Sequence, residues 1–228
     1  MIVSAVKSST AKPIASAASG CQKSPMSGAI WPFCWSSPVA LRFRRAVPDD
    51  APMIADLHTR SWRAAYRGQL PDAYLDGPLD LEKQAQWAEK LARARPADLI
   101  LLAEQGDSLA GFISVWGDDA SKAVDPYGDY LGAYVDNLHV DPTGRGRGLG
   151  RELLRRTADH TLGTPGLAPH VWLWVLATNA PALKFYMSLG GQVTDEITEP
   201  LGGITVRTQR ILWSDAAALS AACRPSRD

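Results

Sequence analysis

The sequence predicts an α/β fold in which a mixed, mostly antiparallel central sheet carries helices on both faces. Apolar segments of strand length occur along the chain together with segments of helical period. Two strand–turn–helix units, 138–163 and 171–189, lie between strands that pair as hairpins. The 228 residues, 46% of them hydrophobic, suffice to bury the core of one domain.

The first elements are predicted to be an edge strand followed by helices. Residues 41–47 alternate enough to form the strand. The segment 48–52 has an Asp cap and Pro in the first turn, so it predicts the start of a helix. That helix passes His58, and the segment 61–68 continues or restarts it.

A further helix and a hairpin complete the first half. The helix spans residues 79–95, and we place Trp87 and Leu91 beside its apolar stripe. The stripe itself is predicted to consist of Leu81, Ala85, Ala88 and Ala92. Residues 99–103 and 109–115 predict the two strands of the hairpin, because a Gly-containing turn separates them.

The second half is predicted to add the two strand–turn–helix units and a last antiparallel pair. Its elements are a central strand ending at 138–142, a helix from Gly150, a strand at 171–176, a helix from 180 and strands at 192–197 and 205–212. Asn179 has the residue type of a helix N-cap, and glycine ends this helix at 190. We therefore expect a domain over 41–213, with a short helix in a C-terminal tail over 214–228.

Charge and cysteine content exclude several classes of protein. The chain has 24 basic and 24 acidic residues, but its first 48 residues contain six basic and no acidic ones. The remainder therefore has an acidic excess, which disfavours nucleic-acid binding. Three cysteines without C-x-x-C spacing predict neither a structural metal site nor a disulfide framework, which fits a reducing, cytoplasmic location. The sequence contains no run of eighteen apolar residues, so we expect no membrane span.

The segment 1–40 is rich in Ser and Ala and has no leucine. Its charges are lysines, whereas transit peptides favour arginine. It also lacks the sustained apolar core of a secretory signal. We expect a disordered N-terminal extension or a start site placed too far upstream.

A phosphate-binding loop is predicted between the central strand and the following helix. Gly146, Gly148 and Gly150 leave backbone N–H groups uncovered at the start of a helix, where the helix dipole attracts anions. Arg145 and Arg147 add positive charge. The glycine spacing matches neither G-x-G-x-x-G nor a Walker loop. A plain strand–turn–helix connection is the alternative.

Two motifs resemble the GNAT family of N-acetyltransferases. The segment from Arg145 to Gly150, R-G-R-G-L-G, is similar to that family's coenzyme A loop, [QR]-x-x-G-x-[GA]. From Asn179, N-x-x-A-x-x-F-Y-x-x-x-G resembles its second motif. The phrase at Ser61–Leu75 is similar to one GNAT subgroup, and the resemblance spans 41–213. It implies the GNAT acyl-CoA N-acyltransferase fold.

The resemblance implies acetyl-CoA as cosubstrate and assigns its binding residues. Backbone groups of Leu138, His139 and Val140 would pair with the pantetheine arm, which enters where the central strand separates from the next one. The pyrophosphate would lie on the N–H groups of residues 145–150, Leu149 included. Asn179 would contact the pantetheine arm, and no metal takes part.

For catalysis, the resemblance implies Tyr186 as the general acid near the thioester sulfur, and direct attack by a primary amine of a small molecule or peptide. A backbone N–H near Leu138 would stabilise the oxyanion. Strand alternation places Asp136 on the face of Leu138 and Val140, so Asp136 is a candidate base. Water-relayed deprotonation or an amine that arrives neutral are the alternatives. His139 faces the other way unless a bulge intervenes.

The acceptor side is less defined. Trp62 and Tyr66 would wall the acceptor pocket, although both are also typical core aromatics. His58 is expected at the surface or as a cap, without a role. A homodimer through sheet edges or late strands is implied but not fixed.

Two other functions compete with an enzyme. A catalytically idle acyl-CoA binder would serve as a sensor or scaffold. A nucleic-acid binder would use a basic ridge formed by Arg145, Arg147, Arg151, Arg155 and Arg156. The acidic excess of the domain argues against nucleic acid as a partner.

Overall fold

A computed structural model describes residues 40–117 and 132–225. Within them, seven strands form one sheet in the order β1-β2-β3-β4-β5-β7-β6. The strands are β1 Leu41–Arg45, β2 Leu99–Gln105, β3 Ser108–Trp116, β4 Ala133–Val140, β5 Val171–Leu176, β6 Gln192–Leu201 and β7 Ile204–Trp213. Only β4 and β5 are parallel neighbours. The predicted mixed, mostly antiparallel sheet is confirmed.

Six α-helices accompany the sheet in the described ranges: α1 Ala51–Tyr66, α2 Asp72–Leu75, α3 Leu79–Arg93, α4 Leu149–Gly163, α5 Ala180–Met187 and α6 Ala216–Ala222. Helices α1 and α3 pack on one face, where Leu57 and Trp87 join Phe112 of β3 in an apolar cluster. Helix α4 covers the other face, where Leu153 packs with Leu138 of β4. The β4 strand is therefore buried between helices on both sides. No described helix combines the length and the apolar character needed to cross a membrane.

The apolar stripe predicted for α3 is wrong. Leu81, placed on that stripe, is 62% exposed. The buried face consists instead of Leu79, Lys83, Trp87 and Leu91, which follow one another at intervals of four residues. A search for apolar residues alone does not find this face, because its second residue is Lys83.

The C-terminal segment belongs to the folded domain. The predicted short helix is present as α6, and its Leu219 packs in the main core together with Cys223. The domain boundary predicted at residue 213 is therefore corrected to include α6. The disordered extension was predicted over residues 1–40, of which 1–39 lie outside the described residues.

Candidate functional site

The two parallel strands at the centre of the sheet are paired over only a short stretch. Ladder pairs between β4 and β5 join Ala133 to Val171 and Tyr134 to Trp172, whereas β4 continues to Val140. The pairing with β5 therefore ends before residues 138–140 are reached. An extended ligand can add to a strand edge of this kind through backbone hydrogen bonds. This is the opening that the sequence resemblance implied.

The loop that follows β4 has the backbone geometry of an anion site. Gly146 and Gly148 have φ values of +79° and +80°, in the left-handed region that favours glycine. A Cβ atom at either position would meet no described atom within 4 Å, so this side of the loop is open. Gly148 is the N-cap of α4, which begins at Leu149, one residue before the predicted start at Gly150. The N–H groups of the first turn therefore face the loop.

Other loop residues have packing roles as well. The side chain of Leu149 is buried in the core, which fixes the first turn of α4 to the sheet. A Cβ on Gly150 would lie 3.5 Å from Cζ of Phe185, so a small residue here allows α4 and α5 to approach. Arg145 and Arg147 are exposed.

Asp141 stabilises the turn that leads into the loop. Its Oδ1 accepts hydrogen bonds from the backbone N–H of Thr143 at 2.9 Å and from the Thr143 hydroxyl at 2.6 Å. Its Oδ2 lies 2.6 Å from Nη1 of Arg60 in α1. Burial raises the pKa of Asp141, but these hydrogen bonds outweigh burial and hold the pKa at about 2. The loop is thereby tied to α1.

The second predicted motif brings three site residues together. The side chain of Asn179 accepts from the N–H of Ala182 at 3.3 Å and caps α5, which confirms the predicted cap. A side-chain hydrogen bond also joins Asn179 to Tyr66 of α1. Burial, together with the nearby Tyr66, raises the pKa of Tyr186, so its phenol stays protonated and able to donate.

A bulge in β4 overturns the predicted placement of Asp136. Ser114 pairs with Asn137 and Val115 with Val135, so Asp136 is an extra residue in β4. Asp136 therefore does not share a face with Leu138. It points toward α3, where its Oδ2 lies 2.5 Å from Nζ of Lys90.

The bulge also collects polar side chains on the α1–α3 face. Asn137 donates from Nδ2 to Oδ2 of Asp136 at 2.6 Å and to Oγ of Ser114 at 3.2 Å. His139 lies on the same face, and its Nδ1 is 3.1 Å from Oγ of Ser61 in α1.

The prediction of His58 as a surface or capping residue is wrong. His58 is completely buried, and its ring centre lies 4.4 Å from that of His139. Nε1 of Trp87 donates to Nδ1 of His58 at 3.0 Å. Burial lowers the pKa of both histidines well below 6.5, so both rings are neutral.

Trp62 and Tyr66, the predicted acceptor wall, are both fully buried and pack edge to face at 5.3 Å. Sequence reasoning missed Lys83, whose side chain is 1% exposed and whose Nζ lies 4.0 Å from the centre of the Trp62 ring. Lys83 lies four residues after Leu79 and four before Trp87, and this spacing was the signal that could have identified it as buried.

Two arginines of the predicted basic ridge, Arg155 and Arg156, are paired with carboxylates of α4. Glu152 pairs with both Arg155 and Arg156, and Asp159 pairs with Arg155. Arg151 donates to the carbonyl of Ala222. The positive charge of Arg155 and Arg156 is thus balanced within α4, which disfavours these two as part of a nucleic-acid ridge.

Comparison with known proteins agrees with this architecture. The model of the acetyltransferase (GNAT) family matches residues 53–190. The chain belongs to the GNAT acetyltransferase family. It is therefore an enzyme of the acyltransferase class.

Individual relatives differ in how much of their length is shared. A mycothiol acetyltransferase from Acidothermus cellulolyticus is 39% identical over 107 residues, which are 41% of this chain and only 29% of that protein. The N-acetyltransferase YuaI from Bacillus subtilis, itself uncharacterised, is 25% identical over 77% of this chain and 94% of its own. The PaiA N-acetyltransferase of Thermoplasma acidophilum, solved in complex with coenzyme A, superposes with a TM-score of 0.58 at 18% identity, over 75% of this chain and 98% of that one.

Proposed function

We propose that this chain transfers an acetyl group from acetyl-CoA to a primary amine of a small molecule or peptide. The observation that carries the proposal is the opening between β4 and β5, which leads to a loop with two left-handed glycines at the N-terminus of α4. Solved relatives of the same fold contain coenzyme A or acetyl-CoA, which supports this choice of cosubstrate.

The residues at the opening fit the parts of acetyl-CoA. Backbone groups of Leu138, His139 and Val140 would pair with the pantetheine arm, since β5 does not pair with this part of β4. The N–H groups of residues 145–150 would hold the pyrophosphate, because the loop is open on the side where glycines lack a Cβ. Asn179 would contact the arm from the start of α5.

Acetyl-CoA supplies an activated acetyl thioester to a ternary complex with the amine. Tyr186 would donate a proton to the departing sulfur, and its raised pKa keeps that proton available at neutral pH. The amine would attack directly, without a covalent enzyme intermediate. The N–H near Leu138 would stabilise the developing oxyanion.

Asp136 stays our candidate base, although the bulge places it differently from the prediction. The carboxylate faces the α1–α3 layer rather than the face of Leu138, and Lys90 pairs with it. An acceptor that enters from the side of Trp62 would meet this carboxylate beside the bulge.

A calorimetric titration with acetyl-CoA tests the proposal. The unmodified chain should bind, whereas Gly148→Glu should not, because it places bulk and negative charge against the pyrophosphate. Gly148→Ala separates backbone strain from charge, since φ is +80° there. Gly163→Glu, on the exposed end of α4, is the matched control and should bind normally.

The outcomes separate the competing functions. The enzyme is supported if the unmodified chain binds acetyl-CoA and transfers its acetyl group to amines, and if Gly148→Glu abolishes the binding. Binding without transfer to any amine of a broad panel would favour the idle acyl-CoA binder. Absence of binding to the unmodified chain would refute the proposal. A homodimer and a cytoplasmic location stay predictions, and light scattering would check the first.

A further inference from the structure

We infer that the acceptor amine carries a carboxylate, and that Lys83, Trp62 and His58 bind that carboxylate. The inference rests on the proposed N-acetyltransferase function and specifies the class of acceptor. It stands on a layer of buried polar side chains between α1, α3 and β4.

Lys83 is a buried amine: burial lowers its pKa, and the carboxylates of Glu82 and Asp136 oppose that shift. Among the described residues its Nζ has one hydrogen-bond acceptor, Oε1 of Glu82 at 3.2 Å, and it lies over the ring of Trp62. The Glu82 side chain is 39% exposed and also hydrogen-bonds with Tyr74. An ammonium has three N–H donors, and burying one is costly unless its partners are good. With a single carboxylate acceptor at the rim, Lys83 keeps donor capacity that another anion could use.

Two further donors lie beside this ammonium. Because Nδ1 of His58 accepts from Trp87, the neutral ring carries its proton on Nε2. This N–H and the indole N–H of Trp62 are buried and have no acceptor among the described residues. The rings of His58 and Trp62 are 5.4 Å apart, and the Trp62 ring contacts Lys83.

The same layer continues to β4. Nε2 of His139 and Oδ1 of Asn137 are also buried without a hydrogen-bond partner in the described ranges. An unsatisfied buried polar atom costs about 1–3 kcal/mol, so a group of them in one layer is expensive to keep for structure alone. His139 and Asn137 belong to the strand that borders the β4–β5 opening, so a ligand bound here lies near the proposed acetyl site.

The number and kind of donors specify the anion. One ammonium and two neutral N–H groups match the single negative charge and two oxygens of a carboxylate. A phosphate dianion would leave one charge without compensation, because Lys90 is already paired with Asp136. An uncharged acceptor would leave Lys83 with Glu82 as its hydrogen-bonding carboxylate and with only the longer-range charge of Asp136. We therefore expect amines of amino-acid type.

The experiment compares acceptors in pairs that differ only at the carboxylate, namely α-amino acids and their carboxamides. The unmodified chain should show kcat/KM about tenfold to a hundredfold higher for the acids, through KM, as expected for charged hydrogen bonds. The amine of a carboxamide is the weaker base, so easier deprotonation cannot produce this preference. Calorimetry with the N-acetylated acid, which cannot react further, gives a second readout by binding alone.

Two variants locate the preference. Lys83→Met keeps the length of the side chain without its charge, and should bring the acid-to-amide ratio near one and weaken binding of the N-acetylated acid about tenfold or more. Arg93→Met, on the exposed end of α3 with its arginine side chain 76% exposed, should leave the ratio unchanged. Trp62→Phe keeps an aromatic ring without the N–H, and should lower the ratio by a smaller factor.

The ratio of kcat/KM for acids to kcat/KM for carboxamides, measured on the unmodified chain, tests the inference even if Lys83→Met fails to fold. Equal kcat/KM for acids and carboxamides would overturn the inference while the acetyltransferase proposal stands. A preference that Lys83→Met retains would also overturn it. Failure of the unmodified chain to bind acetyl-CoA would instead refute the proposed function.

Discussion

The two binding regions beside β4 are constructed from different parts of the chain. The loop at residues 141–150 offers backbone N–H groups and depends on glycines with positive φ. The polar layer between α1, α3 and β4 depends on side chains, with His58 and Lys83 contributed by separate helices and His139 by the strand. A site made of backbone is contained within one short segment, whereas a site made of side chains requires the complete fold. The loop therefore has a sequence motif, and the polar layer has none.

This difference predicts different responses to mutation. Changes in the loop should alter affinity for acetyl-CoA, because the proposed pyrophosphate contacts lie there. Changes in the polar layer should alter the acceptor or the stability of the domain. Tyr186 packs in the main core, and Tyr66 of α1 contributes to raising its pKa.

The largest effect is expected for Tyr186→Phe. Loss of a general acid lowers kcat by about 10² to 10⁴. Because the ring remains and the loop is untouched, the Kd for acetyl-CoA should change little. Steady-state kinetics and calorimetry measure the two quantities separately. A parallel loss of binding and turnover would assign Tyr186 to the cosubstrate region instead of to chemistry.

Trp87→Ala should destabilise the polar layer. Trp87 is fully buried and donates to His58, so its removal leaves a cavity and an unsatisfied histidine. We expect a loss of about 3–5 kcal/mol in the free energy of unfolding. Leu81→Ala is the control on the same helix, and its cost should be within about 0.5 kcal/mol because Leu81 is exposed. Denaturant titrations measure both, and equal losses would contradict the observed stripe.

The polar layer also predicts a pH dependence of stability. His58 and His139 have pKa values lowered well below 6.5 in the folded chain, whereas in the unfolded chain both titrate near 6.5. Below that pH the unfolded state binds more protons, so the free energy of unfolding falls as pH falls. Denaturant titrations between about pH 7.5 and 5.5 should show an uptake approaching two protons on unfolding.

Substitutions show which histidines cause this pH dependence of stability. His58→Gln should remove about one proton of the uptake, whereas His170→Gln, outside the polar layer, should retain the dependence that arises from the histidine pair. Stability that does not change over this range would contradict the burial of the histidine pair.

The sequence predicted the parts of the fold that depend on neighbouring residues. The strand 171–176 and the cap at Asn179 are local features, set by a β-branched and aromatic run and by one side chain. The bulge at Asp136 depends on how β4 pairs with β3, so alternation along β4 alone could not show it. The burial of Lys83 depends on Trp62 from another helix. Both errors fall in the polar layer, where the contacts are distant in sequence.

The smallest expected effect concerns Asn179, whose side chain makes one contact with the backbone and one with another side chain. Its side chain caps α5 through a backbone N–H and hydrogen-bonds with Tyr66 of α1. Asn179→Ala removes both contacts and should cost about 1 kcal/mol in stability. Asn179→Ser keeps a capping oxygen but is too short to reach Tyr66, so most of that stability should remain.

The same pair of variants tests the contribution of Asn179 to cosubstrate binding. If Asn179 contacts the pantetheine arm, both variants should weaken acetyl-CoA binding in calorimetry to a similar degree, although only Asn179→Ala is destabilised. If binding follows stability, so that Asn179→Ser binds like the unmodified chain, Asn179 acts only as a helix cap. In that case Asn179 would contribute only to the stability of α5, and Tyr186 would be the one residue of this helix assigned to the active site.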